Sequence, residues 1–96
     1  MLMLVTYDVS TVTPAGRRRL RRVARACLDF GQRVQNSVFE CEVDPAQWAA
    51  LRARLIGEID VDEDSLRFYR LGSDSRRRIE HAGAKVVLDL EGPLVF

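Results

Sequence analysis

An α+β fold follows from three features of this sequence. Residues 2–7 form an almost unbroken apolar run, two later stretches each pair a capping residue with a proline ahead of an amphipathic pattern, and β-rich segments lie between and after them. The opening segment Leu2-Met3-Leu4-Val5-Thr6-Tyr7-Asp8 reads as a strand buried on both faces, since a half-exposed strand would alternate apolar with polar residues. It ends on the carboxylate of Asp8. A charged group at the tip of a rigid central strand suits metal binding or charge chemistry. An Asp there equally suits the end of a strand and the cap of a turn, and both readings stand at this level.

Thr13 is a good N-cap and Pro14 fits the first helical position. The helix they open is predicted to run to Phe30, with Leu20, Val23, Ala24, Cys27 and Leu28 as its apolar stripe and Gly31 as the C-cap signal. Arginines crowd its first turns, where cations oppose the helix dipole; this is either a solvated basic face or a surface for an external anion. The stretch 33–43 is β-rich, but Val34 and Val38 lie on the opposite parity from Phe39, Cys41 and Val43. A turn or bulge near Gln35–Ser37 resolves the conflict, giving two short strands or one sharply bent one. Asp44 and Pro45 then open a second helix with Trp48, Leu51, Leu55 and Ile56 on its apolar side.

Asp60, Asp62 and Asp64 have the spacing of the start of a calcium loop, but the glycine expected at its sixth position and the glutamate at its twelfth, here Leu71, are missing. The acidic run 58–64 is therefore read as a solvated connection. Residues 66–71 form the next strand, closed by Gly72, and 84–90 a last one. His81 stands alone in the connection between them and reads as an ordinary surface residue. Strand, helix, strand, strand, helix, strand is the split βαβ order of ferredoxin-like domains. The expected architecture is a single ferredoxin-like βαββαβ sandwich over 1–96, with its core in 1–72. The extra C-terminal strand, within 84–96, would pair with a sheet edge of its own chain or of a second protomer, making a homodimer.

Ninety-six residues, 47% of them hydrophobic, suffice for one modest core. No apolar stretch approaches a membrane span, and the opening strand has neither a basic leader nor a small-residue cleavage site, so a cytoplasmic protein without membrane partners is expected. Cys27 and Cys41 fit no metal-ligand spacing and read as core thiols. The net charge is only +1, but it is segregated: residues 1–33 carry +5, residues 34–66 carry −6 and the remainder +2. Fourteen of the fifteen basic residues are Arg, whose planar fork matches phosphate.

The sequence resembles the CRISPR-associated protein two family, the smaller of the two universal proteins of CRISPR adaptation. The resemblance is carried by Tyr7-Asp8-Val9-Ser10, by the Arg-rich helix ending at Gly31, by Arg33-Val34-Gln35-Asn36-Ser37-Val38-Phe39-Glu40 and by Asp64-Ser65-Leu66-Arg67-Phe68-Tyr69, in order across residues 1–71. It implies a ferredoxin-fold homodimer in which Asp8 from both protomers meets at the two-fold axis and binds Mg²⁺ or Mn²⁺. The implied activity is metal-dependent endonucleolytic hydrolysis of single-stranded RNA, double-stranded DNA or both, with Asp8 catalytic. Matching positions for nucleic-acid contact are Tyr7, Arg17, Arg19, Arg33 and Phe39: Arg17 and Arg19 would hold phosphates and Phe39 would pack against a sugar or base. The resemblance implies a second role too, a non-catalytic dimeric scaffold that binds duplex DNA and bridges dimers of the larger CRISPR integrase subunit in spacer acquisition. A third is a toxin-like ribonuclease of the related virulence-associated family. No base-reading constellation is present, so little sequence specificity is expected.

Overall fold

The computed structural model describes residues 1–72 and 79–83. Six elements follow in the expected order: β1 (Leu2–Asp8), α1 (Pro14–Phe30), β2 (Gln32–Gln35), β3 (Val38–Glu42), α2 (Pro45–Glu58) and β4 (Ser65–Arg70). They form a four-stranded antiparallel sheet in the order β2-β3-β1-β4, with β1 in the interior as its apolar run requires. This is the ferredoxin-like arrangement. The predicted last strand and its pairing, within 84–96, lie outside the described residues.

Local chemistry sets the boundaries. Thr13 accepts the Gly16 N–H at 3.0 Å and so caps α1, with Pro14 at its start. Asp44 and Gln47 form a reciprocal capping box on α2: the Gln47 N–H donates to Asp44 Oδ1 at 2.7 Å, and the Asp44 N–H donates to Gln47 Oε1 at 2.9 Å. The parity conflict at residues 34–38 resolves as a hairpin. Arg33 faces Phe39 and Gln35 faces Val38, with a register irregularity between the two pairs.

One cluster joins Met3, Val5 and Tyr7 of β1 with Phe39 and Cys41 of β3, Val23, Ala26 and Cys27 of α1, and Leu51 and Leu55 of α2. Trp48 lies against its edge, its ring meeting Phe68 of β4 edge-on at 5.0 Å. Two expectations need correction. First, among the described residues β1 is fully buried on one face only: on the other, Leu4 and Thr6 are half-buried and Asp8 exposed, although Leu2 is buried. Second, the stripe of α1 departs from the expected one at its edges: Val23 and Cys27 are in the core and Leu20 and Ala24 pack against it, but Gly16 and Ala26 join them and Leu28 does not. Gly16, Val23, Ala26 and Cys27 are buried, whereas Leu28 is 48% exposed. Ile56 of α2 is likewise exposed; Leu51 and Leu55 are that helix's buried residues, with Trp48 packed against them as expected.

Gly31 is the C-cap of α1, as expected. It follows α1 and donates its N–H to the Cys27 carbonyl at 2.9 Å, yet its φ of −164° is extended backbone open to any residue. Glycine is needed there for closeness. A Cβ would press into the Glu40 carbonyl oxygen and lie 2.6 Å from Cys41 Sγ, so the end of α1 can touch β3 only without a side chain.

Candidate metal centre and nucleic-acid interface

Asp8 closes β1, with its backbone paired to Ser65 of β4. Strand alternation puts its side chain on the same sheet face as Thr6 and Leu4, away from the helices. It is exposed, and among the described residues no hydrogen bond or ion pair engages its carboxylate. Such a group is available to a ligand.

Tyr7 points the opposite way, into the core. Its ring stacks on Phe39 with centroids 6.0 Å apart, and its hydroxyl makes a long hydrogen bond to the Asn36 carbonyl at 3.5 Å. Burial pushes the phenol pKa up, partly offset by Arg33. The Arg33 guanidinium lies over the Phe39 ring, 5.1 Å from its centroid, and the residue remains exposed. Tyr7, Phe39 and Arg33 are therefore brought together, on the face of the sheet opposite Asp8. Phe39 has no exposed surface, so its ring offers no face to a sugar or base in this conformation.

The two helix arginines part company. Arg17 is exposed and donates to the Thr11 carbonyl at 3.1 Å, tying the β1–α1 loop to the helix start. Arg19 turns inward. Its Nε meets Asp64 Oδ2 at 2.8 Å and its Nη2 meets Glu63 Oε2 at 3.1 Å, with 16% of its side chain exposed. It is occupied by carboxylates of its own chain. The other arginines of α1, Arg18, Arg21, Arg22 and Arg25, are exposed like Arg17, and Arg25 pairs with Asp29 at 3.2 Å.

Asp64 is the residue that sequence reasoning missed. Assigned to a solvated connection, it is instead buried, and its carboxylate accepts the Ser10 N–H at 3.0 Å and the Asp60 N–H at 2.9 Å besides Arg19. The signal was present: counting from Gly16, Arg19 falls three residues on and four before Val23, inside the buried stripe. An arginine there needs a buried partner. Of the rest of the acidic run, Glu58 ends α2, Asp60 is half-buried, and Val61, Asp62 and Glu63 form an exposed turn in which the Asp62 N–H donates to Asp60 Oδ1 at 3.0 Å.

Arg19 chiefly, with the backbone donors of Asp60 and Ser10, holds the Asp64 carboxyl below its ordinary range against the opposing effect of burial. A depressed carboxylate pKa contributes stability above the unfolded value of about 4, and that contribution is lost as pH falls through the folded one. In urea titrations, the stability gap between the wild type and Asp64→Asn is expected to be widest near neutrality and to close below about pH 4. A gap independent of pH would contradict this assignment.

Among the described residues, no group of three or more His, Cys, Asp or Glu is placed to hold a metal ion. Burial pushes the Cys27 thiol up to about 12 and the Cys41 thiol up to about 11, so neither supplies a thiolate at neutral pH. His81 is half-buried, not an open surface residue, and its Nε2 is enclosed without a hydrogen-bond partner among the described residues. At the tip of β1 the described residues place one exposed carboxylate, Asp8. That falls short of a divalent-cation site, but two such carboxylates match what Mg²⁺ takes alongside water and phosphate.

The described residues thus combine a ferredoxin-like sheet, an exposed carboxylate at the tip of its interior strand and exposed arginines on the helix that follows. The chain belongs to the CRISPR-associated protein Cas2 family, whose sequence model matches residues 1–79. It is 65% identical over 95 residues to the CRISPR-associated endoribonuclease Cas2 3 of Rhodospirillum rubrum, covering 99% of this chain and all of that one. It is 55% identical over 96 residues to the CRISPR-associated endonuclease Cas2 of Halalkalibacterium halodurans, covering both in full. The crystal structure of Streptococcus pyogenes Cas2 superposes with a TM-score of 0.77 at 59% identity, covering 86% of this chain and all of that one. No helix among the described residues is long and apolar enough to cross a membrane.

Proposed function

We propose that this protein is a metal-dependent endonuclease acting on phosphodiester bonds as a homodimer in CRISPR adaptation. One observation carries the reading: among the described residues, Asp8 stands exposed and unengaged at the tip of the central strand, on the sheet face that the helices leave uncovered. Leu4, Thr6 and Val38 are half-buried on that face, and Leu4 is an apolar residue in the middle of the sheet. A second copy packed there covers Leu4 and brings Asp8 of the partner subunit towards Asp8. Two carboxylates would then hold one Mg²⁺ or Mn²⁺. When bound, the ion supplies a Lewis acid and a water of lowered pKa.

The chain's own residues supply the rest. Asp8 provides the ligand oxygens, and Arg17, Arg18, Arg21 and Arg22 hold the phosphate backbone without reading bases. The naming of relatives as endoribonuclease and as endonuclease supports RNA, DNA or both as substrate. The direct test incubates the protein with single-stranded RNA and with duplex DNA, in Mg²⁺, in Mn²⁺ and in EDTA, with the dimer measured by sedimentation equilibrium. Metal-dependent cutting by a dimer is expected. A monomer, or cutting indifferent to EDTA, defeats the proposal.

The exposed α1 arginines favour a second role for the same dimer, a scaffold that tracks duplex DNA while bridging copies of the larger integrase subunit. In either role, affinity for duplex should fall steeply with salt. Removing a phosphate-binding guanidinium, as in Arg18→Ala or Arg21→Ala, should reduce the log–log salt slope by about 1 for each protomer whose arginine contacts the duplex. Affinity unaffected by ionic strength would exclude an arginine–phosphate interface.

A further inference from the structure

The backbone just after Asp8 is held from three sides. The Ser10 N–H donates to Asp64 Oδ1 at 3.0 Å. The Ser10 carbonyl oxygen lies so close to Gly16 that a Cβ there would run into it. Val9, between Asp8 and Ser10, is 7% exposed and belongs to the core. On the neighbouring strand, Asp8 pairs with Ser65, the residue after Asp64. The Asp64 side chain therefore extends the β1–β4 ladder one step past its last backbone pair.

Asp64 is itself fixed. Its side chain has no exposed surface, and its Oδ2 takes both the Asp60 N–H at 2.9 Å and the Arg19 Nε at 2.8 Å. The Arg19 Nη2 reaches Oδ1 at 3.4 Å, completing a two-pronged contact. Buried ion pairs are poor sources of net stability, because desolvation cancels most of the attraction. What a forked guanidinium–carboxylate pair supplies is direction. Here the direction is imposed on the backbone two residues from Asp8.

We infer that Asp64, held by Arg19, is a positioning residue for Asp8: it locks residues 8–10 so that the Asp8 carboxylate leaves the strand tip in one orientation. The inference rests on the metal reading above, because two symmetry-related carboxylates can share one ion only if both point consistently. It gives Arg19 a task within its own chain in place of phosphate contact.

The test uses the full chain with two readouts besides cleavage: hydrogen exchange of the Ser10 amide by NMR, and Mn²⁺ affinity without nucleic acid by electron paramagnetic resonance. In Asp64→Ala, Ser10 exchange is expected to speed up at least about tenfold and Mn²⁺ affinity to weaken about tenfold or more. kcat falls while KM for nucleic acid stays within about twofold. Arg19→Lys, which keeps a cation for Asp64 without the fork, should lose less on both readouts than Arg19→Ala. If Asp64→Ala does not fold, the two Arg19 variants make the same comparison.

Unchanged Mn²⁺ affinity in a folded Asp64→Ala, or equal Mn²⁺ affinity in Arg19→Lys, Arg19→Ala and wild type, overturns the positioning role. Asp8→Ala measured alongside separates the two claims. If it abolishes Mn²⁺ binding while the Asp64 and Arg19 variants retain it, only the positioning role fails. If it leaves Mn²⁺ binding intact, the metal reading fails and the positioning role with it.

Discussion

Asp8→Ala is expected to lower metal-dependent cleavage by about 100-fold or more while leaving the fold intact. The size follows from removing the sole carboxylate each copy brings to the proposed ion, when loss of even one charge-stabilising group at a reaction centre costs about 10²–10³ in rate. Retention of the fold follows from the site. Asp8 is exposed and engages no side chain or backbone donor among the described residues, and such surface changes usually stay within about 0.5 kcal/mol. Asp8→Asn should behave alike, because an amide has the shape but not the charge. Single-turnover cleavage and a thermal melt of the same preparation check both halves. A folded Asp8→Ala protein that cuts at the wild-type rate would remove Asp8 from the chemistry, whereas a scaffold would keep duplex binding through the same change.

Gly16→Ala carries the largest expected effect on stability, and its sign opposes helix propensity. Alanine inside a helix is ordinarily better than glycine by about 1 kcal/mol. At position 16, however, the new Cβ would collide with the Ser10 carbonyl oxygen and lie 3.0 Å from its carbon. The obstacle is backbone, so no side chain can swing away, and overpacking of this kind costs about 1–3 kcal/mol. A loss of about 3 kcal/mol in urea unfolding is expected, at the top of that range. Gly57 in α2 is the control. Nothing lies within 4 Å of a Cβ there, so Gly57→Ala should stabilise by about 0.5–1 kcal/mol. If both substitutions stabilised the protein, the close approach of α1 to Ser10 would be refuted.

Much of the fold was legible because its punctuation is local. Thr13-Pro14 and Asp44-Pro45 mark helix starts through caps and fixed φ, and both helices begin where those pairs predict. The parity break between Val34 and Val38 required the hairpin that is found. Asp8 was legible as a candidate because a carboxylate ends an apolar run.

The unread part depended on contacts between residues far apart in the chain. Arg19 and Asp64 are 45 residues apart; one looked like a member of a basic cluster and the other like a member of an acidic one, and neither composition reveals a partner. Phe39 matched the pattern carried over from the resemblance, but a pattern does not distinguish a ring that meets a ligand from one sealed beneath Arg33. The stripe of α1 was misjudged at its edges because Leu28 is more hydrophobic than Ala26, while the tight approach of α1 to β3 at Gly31 favours the smaller residue on the inside.

The two sealed sulfurs have a practical consequence. Cys27 and Cys41 are wholly enclosed and hold their protons far above neutrality, so alkylating dyes should pass them by while the native state persists. A spin label or fluorophore can then be attached through one introduced thiol, such as Ser65→Cys opposite Asp8, without stripping the natural ones. Distances between labels on paired molecules would map the geometry around the symmetry axis in solution.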